Sequence, residues 1–321
     1  MNTMGLSMIF KMGCLCARDD ITINNCKYYI LEELGQGGFS TVLLVENART
    51  RKRYAVKKII CHGREDQKWA LQEIEYHKSL NHPNIIPCLE SAVSGCPDPV
   101  LNTTSQVLLL LPYYSRGTLS YYLEMRRKNK LYMDQGEILR MFLQICDGIK
   151  VFHEVKPVAL AHRDIKPGNI LLDADNTPVI MDLGSVATAC VKVCGSADAQ
   201  RLQDLASERC SMPYRAPELF NVESYCMIDQ RTDIWSLGCL LFAMCYFKSP
   251  YDTVYERGDS VALAVISGTV EFPTITPYTQ GPNSKLSKAP SGPHIATPMV
   301  EALSVRRQCS LLLPPVSSRG S

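Results

Sequence analysis

The sequence predicts an α+β protein with two lobes: a small antiparallel sheet with one helix, followed by a larger, mainly helical lobe. Short apolar runs separated by polar residues recur between residues 25 and 111, and this spacing indicates strands. From residue 118 onward the apolar residues recur at helical spacing. Residues 234–247 are apolar on nearly all sides, so we expect them to form a buried central helix.

The composition is that of a folded globular protein. The chain has 321 residues, of which 46% are hydrophobic. A net charge of +2 gives no electrostatic attraction toward polyanions, so we expect no nucleic-acid partner. The 14 cysteines form no Cys-x-x-Cys pair, which argues against a zinc site and for a reducing compartment. No apolar run approaches the about 20 residues of a membrane-spanning helix, and we expect no signal peptide.

Four segments follow one another along the chain. Residues 1–24 are interpreted as a leader, residues 25–111 as the first lobe and residues 112–273 as the second lobe. Residues 274–321 are rich in Pro, Ser and Thr and contain a single acidic residue. We therefore expect this last segment to be a largely disordered tail.

Individual elements are predicted from the same patterns. In the first lobe we expect a helix at 67–80 and strands at 28–31, 41–45, 53–60, 84–89 and 106–111. Glycine and prolines at 95–99 predict a turn-rich loop. In the second lobe, an apolar stripe predicts a helix at 138–152, and a run of helix-forming residues predicts another at 197–209.

The most informative stretch is 161–184, where polar residues stand at fixed offsets between short apolar runs. This arrangement suits phosphoryl transfer, which needs positioned charges on loops. Asp164 can orient an attacking hydroxyl and accept its proton, and Lys166 can neutralise the migrating phosphoryl group. Asn169 and Asp182 carry the oxygen ligands that suit Mg²⁺.

A glycine-rich loop lies between two predicted strands. Gly35, Gly37 and Gly38 lack side chains, so backbone N–H groups there can approach phosphate oxygens. Phe39 would cover the phosphates from above. The loop is not a P-loop, because no Gly-Lys-Ser/Thr sequence follows.

These motifs together resemble those of the eukaryotic protein kinases. The resemblance is carried by the glycine loop, Ala55-Val56-Lys57, His162-Arg163-Asp164 with Asn169, Asp182-Leu183-Gly184, and Ala216-Pro217-Glu218. A lysine two residues after Asp164 is typical of the serine/threonine class. A helical segment at 197–209, with Leu183 where most kinases have phenylalanine, resembles the Numb-associated kinase family. The resemblance covers roughly residues 12–273.

The resemblance implies an ATP-dependent protein kinase that phosphorylates Ser and Thr hydroxyls of proteins, including its own, with Mg²⁺ or alternatively Mn²⁺. It implies that Lys57 contacts the α- and β-phosphates and pairs with Glu73, chosen over Glu75. It places the following residues around the nucleotide: Val42, Ala55, Leu111, Pro112, Tyr113 and Tyr114. It gives supporting or regulatory roles to His162, Arg163, Ser211, Glu218 and Asp233. In particular, the Ser211 hydroxyl should bond Asp164 and Lys166, and Asp233 should brace the catalytic loop from beneath.

The sequence departs from the family after residue 273. Family members continue with two or three helices and end in an arginine that pairs with the glutamate found here as Glu218. Arg306 and Arg307 are poor substitutes for that arginine, because they lie in a segment bounded by prolines. The chain therefore resembles a truncated kinase with a substituted tail, and we expect reduced solubility or activity. Losing one partner of a buried ion pair costs about 3–5 kcal/mol.

An acylation motif lies inside the leader. Met12 precedes Gly13, Cys14 and Cys16, so a start at Met12 would allow myristate on Gly13 and palmitate on the two cysteines. The resemblance then implies the cytosolic face of perinuclear or Golgi membranes. Ala17 occupies the usual Ser/Thr position of the motif, and the alternative is that Gly13 stays internal and unmodified.

Two other functions compete with a protein kinase. One is a membrane-tethered, kinase-like scaffold with weak or no catalysis. Such proteins usually lose a lysine or an aspartate of the site, whereas Lys57, Asp164 and Asp182 are all present. The other is a small-molecule kinase, which the Ala216-Pro217-Glu218 motif of peptide kinases disfavours.

Overall fold

The computed structural model describes residues 19–38, 40–98, 103–268, 270, 272–273 and 278. These residues form two compact units. The first unit contains the described residues up to Gly63 together with Leu89–Tyr113, and the second contains Arg64–Cys88 and the described residues from Tyr114 onward. The helix that we assigned to the first lobe therefore belongs, by its contacts, to the second unit.

The first unit is a six-stranded antiparallel sheet with strand order β1-β2-β3-β4-β6-β5. Its strands are β1 (Asp20–Ile23), β2 (Cys26–Gln36), β3 (Ser40–Asn47), β4 (Arg53–Cys61), β5 (Glu90–Asp98) and β6 (Thr103–Pro112). Strand β1 pairs with β2, and its last residue is buried in the core. The sheet thus begins inside the segment interpreted as a leader.

One face of this sheet carries the core of the first unit. Side chains from five strands pack together there, namely Ile23, Tyr28, Val45, Val56, Leu108 and Leu110. Successive side chains of a strand point to opposite faces, so the residues between these positions lie on the other face. That second face carries the predicted nucleotide contacts, described below.

Two predictions in this region are wrong. Residues 84–89 do not form a strand of the sheet, because Ile85 and Ile86 are buried against residue 180 of the second unit instead. Strand β5 begins only at Glu90 and continues through the predicted loop at 95–99 as far as Asp98, with an irregular register after Gly95. Gly95 has a φ of 79°, and a Cβ there would lie 2.6 Å from the Thr104 carbonyl oxygen. Glycine here marks a bulge rather than a turn.

The second unit is mainly helical. Its helices are α1 (Arg64–Ser79), α2 (Leu119–Lys128), α3 (Gln135–Glu154), α4 (Ser196–Arg209), α5 (Arg231–Tyr246), α6 (Asp252–Glu256) and α7 (Val261–Ser267). Three antiparallel pairs of short strands complete it: β7 (Leu160–Ala161) with β10 (Ala187–Thr188), β8 (Ile170–Leu172) with β9 (Pro178–Ile180), and β11 (Val191–Cys194) with β12 (Tyr225–Ile228). The helices predicted at 138–152, 197–209 and 234–247 are confirmed as α3, α4 and α5.

Helices α3 and α5 form the core of this unit. Of the predicted apolar stripe of α3, Ile138, Ile145, Ile149 and Phe152 are buried, whereas Leu139 is exposed. Nearly every residue of α5 is buried. Asp134 caps α3 by accepting a hydrogen bond from the backbone amide of Gly136. Gly148 allows α3 to pack closely on β9, because a Cβ there would meet Ile180 Cδ1 at 2.6 Å.

The second unit extends past the predicted boundary at residue 273. Tyr278 donates a hydrogen bond to the Met133 carbonyl oxygen at 2.8 Å and packs edge-on against Tyr132 and Tyr246. Residues 279–321 lie outside the described residues, so their predicted disorder stays a prediction. No helix in the described ranges has both the length and the apolar character needed to cross a bilayer.

Candidate active site

The loop between β7 and β8, which we call the catalytic loop, holds the predicted catalytic carboxylate. Asp164 is only 7% exposed. Its Oδ2 accepts a hydrogen bond from Asn169 Nδ2 at 2.8 Å and lies 2.8 Å from Lys166 Nζ. Its Oδ1 accepts a hydrogen bond from the Ser211 backbone amide at 2.8 Å. Three predicted site residues therefore contact the Asp164 carboxylate and fix its orientation.

Ser211 contributes differently from the prediction. Its hydroxyl lies 2.6 Å from Lys166 Nζ, which donates to it, but the contact with Asp164 is made by the backbone amide and not by the hydroxyl. The reason is local, because the 3₁₀ turn Met212–Tyr214 begins directly after Ser211 and leaves that amide free to point at the loop. The prediction is right for Lys166 and wrong in detail for Asp164.

Asp182 directly follows Met181, which is bonded to the catalytic loop twice. The Met181 amide donates to the Asn169 carbonyl oxygen at 2.9 Å, and the Met181 carbonyl oxygen lies 3.2 Å from His162 Nε2. Asp182 itself has a φ of 63° and a ψ of 76°, a left-handed conformation that non-glycine residues adopt rarely and often at functional sites. The two predicted metal ligands are thus tied to one another through their backbones.

Leu183, the next residue, is buried in the apolar core. It is 0% exposed and belongs to the apolar core of the second unit. The 3₁₀ turn Leu183–Ser185 also packs against α1. The leucine of the Asp-Leu-Gly motif therefore anchors the turn that carries Asp182.

The donor set fits a divalent cation that is shared with phosphate groups. Asn169 Nδ2 is committed to the Asp164 carbonyl oxygen and carboxylate, so the carboxamide oxygen remains as the ligand atom. Asp182 adds a carboxylate. Among the described residues, no group of three or more His, Cys, Asp or Glu side chains forms a metal cage by itself. Oxygen ligands from one or two side chains, completed by substrate phosphates, are typical for Mg²⁺.

Asp233 of α5 supports the catalytic loop from below, as predicted. It is 0% exposed, and its two oxygens accept hydrogen bonds from the backbone amides of His162 and Arg163, both at 2.8 Å. Burial alone would raise the pKa of this carboxyl. The hydrogen bond from His153 and these neighbouring groups outweigh burial, so the pKa of Asp233 lies below its usual value.

His153 is a residue that the sequence analysis missed. Its Nε2 lies 2.9 Å from Asp233 Oδ2. It occupies the last turn of α3, 80 positions before Asp233 in the chain. A histidine next to an apolar stripe carries no signal by itself, and only the packing of α3 on α5 could have revealed this contact.

Arg163 links the catalytic loop to the segment that follows Asp182. It has a φ of 64°, and its guanidinium donates to the Thr188 carbonyl oxygen on β10 at 2.9 Å. Burial lowers the pKa of Arg163, although an arginine stays protonated at any physiological pH. Ser185 adds a second link by donating to the His162 carbonyl oxygen at 2.8 Å.

Helix α4 packs on the β11–β12 pair through a small core of its own. This core contains Val193, Ala199, Leu202, Ala206, Leu219 and Ile228. Arg215, just beyond the helix, donates to the Cys210 carbonyl oxygen at 2.9 Å. Burial raises the pKa of the Cys210 thiol to about 12, so this cysteine stays protonated beside Ser211.

Glu218 lies half-buried on the 3₁₀ turn Pro217–Leu219. Its carboxylate forms no ion pair with any residue that the structure describes. The two candidate arginines, Arg306 and Arg307, lie outside the described residues. The predicted loss of its partner therefore stays a prediction.

The predicted nucleotide contacts of the first unit share one face of the sheet. Val42 is directly opposite Lys57, and Ala55 is directly opposite Leu111, in the register of β3, β4 and β6. All four are on the face away from the core that contains Val56. Pro112 ends β6, and Tyr113 is the last residue of this unit.

The glycine loop leaves room for a ligand close to its backbone. A Cβ built at Gly35 or at Gly38 meets no atom within 4 Å. Neither residue has a positive φ, so the backbone conformation does not require glycine there. Close approach by a ligand is the other common reason for glycine, and the loop fits the predicted phosphate contact. Phe39 lies outside the described residues, as do Gly13, Cys14 and Cys16.

The remaining nucleotide residues belong to the second unit. Glu73 is buried on α1, with His77 Nε2 3.9 Å from its carboxylate. Tyr114 is the first residue of the second stretch of this unit and is half-buried, which raises the pKa of its phenol. The pairing of Glu73 with Lys57 stays a prediction.

Comparison with known proteins settles the family. Residues 28–289 match the protein kinase domain. The chain belongs to the protein kinase family. The match continues past the boundary at residue 273 that the sequence analysis predicted. This kinase thus consists of the antiparallel sheet lobe and helical lobe that are typical of the family.

The relatives of this kinase are serine/threonine kinases. It is 44% identical to serine/threonine-protein kinase 16 of Rattus norvegicus and to that of Homo sapiens. Each match extends over 252 residues, which are 78% of this chain and 80% of the relative. A probable serine/threonine-protein kinase of Dictyostelium discoideum is 34% identical, covering 79% of this chain and 86% of the relative. The motif at 12–16, Phe39-Ser40 and the Asp-Leu-Gly sequence suggest a resemblance to serine/threonine-protein kinase 16, and the 44% identity confirms the overall resemblance. This protein is a protein serine/threonine kinase that uses ATP and a divalent metal ion.

Proposed function

We propose that this kinase transfers the γ-phosphoryl group of Mg²⁺-ATP to a Ser or Thr hydroxyl with Asp164 as the group that orients the hydroxyl and accepts its proton. The observation that carries this proposal is the convergence of Lys166, Asn169 and Ser211 on the Asp164 carboxylate. Such positioning is the main source of rate acceleration in phosphoryl transfer.

Each side chain then has one task. Asp164 Oδ1 and Oδ2 are fixed by the Ser211 amide and by Asn169, so the carboxylate holds an incoming hydroxyl in one direction. Lys166 lies between Asp164 and Ser211 and stabilises the negative charge of the phosphoryl group as it moves toward the hydroxyl. Asn169 and Asp182 would hold Mg²⁺, which offsets phosphate charge when bound. Lys57, Glu73 and the glycine loop position the nucleotide.

The proposal is tested by phosphate transfer from radiolabelled ATP to a generic protein substrate, with Asp182→Ala as the control variant. We expect transfer by the wild-type chain with Mg²⁺, weaker or equal transfer with Mn²⁺, and loss of at least about 100-fold in the variant. Equal transfer by both proteins would mean that Asp182 has no part in the reaction. Incorporation into the kinase itself, in a reaction without substrate, tests autophosphorylation.

We propose further that the chain attaches to the cytosolic face of perinuclear or Golgi membranes through acyl groups on Gly13, Cys14 and Cys16. The sequence Met12-Gly13-Cys14-Leu15-Cys16 supports this proposal. Two acyl signals give stable attachment where a single myristoyl chain does not. Incorporation of labelled myristate in cells, compared between the wild type and Gly13→Ala, tests it. Absence of label from the wild type would exclude acylation at Gly13.

A further inference from the structure

A pair of side chains joins the end of helix α4 to helix α1. The guanidinium carbon of Arg209 lies 4.1 Å from the ring centroid of Trp69, over the face of the ring. Both residues belong to the second unit. The Arg209 side chain is 21% exposed and Trp69 is 41% exposed. A planar guanidinium at this distance is attracted by the ring quadrupole.

The same arginine also reaches the loop that carries Asp182. Arg209 Nη1 donates to the Gly184 carbonyl oxygen at 3.3 Å. Gly184 lies in the 3₁₀ turn Leu183–Ser185, two positions after Asp182, and this turn packs against α1. Arg209, the last residue of α4, thus contacts two other elements with its side chain. These are α1 and the 3₁₀ turn Leu183–Ser185, which we call the Asp182 turn because it directly follows Asp182.

The position of Trp69 on α1 connects this contact to Glu73. Trp69 and Glu73 are four residues apart on the same helix, so they lie on the same face, one turn from each other. Glu73 is buried, whereas Trp69 is half exposed. A side chain stacked on Trp69 therefore restrains the face of α1 that presents Glu73.

We infer that Arg209 and Trp69 form a positioning pair that holds α1 and the Asp182 turn in the arrangement needed for nucleotide binding. This inference rests on the proposed roles of Glu73 and Asp182. Neither residue of the pair touches the reacting groups. The ordinary alternative is an arginine stem that merely covers an exposed indole, with no consequence for the reaction.

A double-mutant cycle tests the pair. We expect Arg209→Ala and Trp69→Ala each to lower kcat/KM for ATP by about three- to tenfold, with KM for the protein substrate unchanged. The double variant should be no worse than the more impaired single variant. Arg209→Lys should resemble Arg209→Ala, because an ammonium lacks the planar stacking surface. Trp69→Phe, which keeps an aromatic face, should retain most of the activity.

The matched control is Arg201→Ala on the same helix. Arg201 pairs with Asp198 at the exposed surface, and its loss should leave kcat/KM for ATP unchanged. An equal loss in this control, or losses that multiply in the double variant, would overturn the inference. Wild-type activity of Arg209→Ala would also overturn it. If the proposed function itself were wrong, Asp182→Ala would be fully active, an outcome that is independent of Arg209.

A fluorescence measurement tests the contact without relying on activity. The chain contains two tryptophans, so Trp235→Phe leaves Trp69 as the only tryptophan, whose emission can be excited selectively over that of the tyrosines. In this background we expect Arg209→Ala to shift the emission to longer wavelength, because the ring gains contact with water, and Arg201→Ala to cause no shift. Identical spectra for the Arg209→Ala variant and its parent would show that the stacked contact does not exist in solution.

Discussion

The catalytic loop and helix α4 are held in place by different kinds of interaction. Asp233, fully buried, binds two backbone amides of the catalytic loop and a histidine. Helix α4 is fixed by a small apolar core and, at its end, by an arginine that contacts an exposed indole and a carbonyl oxygen. Loss of a buried charge network is costly, whereas loss of a surface contact is tolerated. We therefore expect substitutions in the first region to abolish activity or folding, and substitutions in the second to adjust activity.

The largest effect is expected at Asp164. Asp164→Asn removes the proton acceptor while keeping the side-chain size, and we expect kcat to fall about 1,000-fold. The affinity for ATP should change less than about threefold, because the residue acts on the hydroxyl. Steady-state phosphate transfer and nucleotide titration measure the two quantities. Asp147→Asn, at an exposed position on α3, is the matched control, and an active Asp164→Asn variant would refute the role.

The second-largest effect, on the free energy of unfolding, is expected at Asp233. Asp233→Asn replaces an oxygen that accepts hydrogen bonds by an amide group, and leaves a backbone amide of the catalytic loop without its acceptor. We expect the free energy of unfolding to fall by about 3–5 kcal/mol. Urea denaturation at neutral pH measures this change.

The pH dependence of the same variant sharpens the comparison. The pKa of Asp233 is lowered in the folded protein, so its contribution is present above the unfolded value of about 3.9 and is lost as the pH falls through the folded pKa. The difference in unfolding free energy between wild type and Asp233→Asn should therefore shrink on acidification. A difference that is constant from pH 7 to pH 3 would contradict the lowered pKa.

A smaller effect, on protein stability, is expected at Gly148, where α3 packs on β9. Gly148→Ala places a Cβ 2.6 Å from Ile180 Cδ1 and 3.3 Å from the Asn84 carbonyl oxygen. We expect a loss of about 1–3 kcal/mol from overpacking, in spite of the better helix propensity of alanine. Thermal melts should show it. Lys150→Ala on the exposed side of α3 should change stability by less than about 0.5 kcal/mol.

The smallest effect is expected at Ser211. Ser211→Ala removes the acceptor of the Lys166 hydrogen bond but keeps the backbone amide that binds Asp164. We expect kcat to fall about fivefold, which corresponds to roughly 1 kcal/mol. Ser211→Thr restores a hydroxyl and should recover most of the activity. A loss as large as that of Asp164→Asn would mean that the hydroxyl, not the amide, is the main contact.

Much of the second unit could be predicted because its signals are local. The stripe of α3, the apolar α5 and the helix formers of α4 each lie within one segment, and all three helices are present. A short motif also identified Asp164, Lys166 and Asn169 as site residues, and the structure shows that Lys166 and Asn169 contact the Asp164 carboxylate. In such cases the fixed spacing of a loop determines which side chains meet.

The failures arose where a distant part of the chain decides the outcome. Residues 84–89 read as a strand by composition, yet Ile85 and Ile86 pack against β9, far along the sequence. Gly95 and its neighbouring proline read as a turn, but the partner strand β6 extends the pairing through a bulge. The contacts of His153 with Asp233, and of Arg209 with Trp69, likewise join elements whose packing no local pattern reveals.

The burial of Leu183 bears on the kinds of inhibitor that this enzyme will accept. A compound that needs the Asp-Leu-Gly turn to swing outward must first expose a side chain that is 0% accessible in the structure. Exposing a buried leucine costs about 1.5–3 kcal/mol, which corresponds to a roughly tenfold to hundredfold weaker affinity. Compounds that leave the turn undisturbed carry no such penalty.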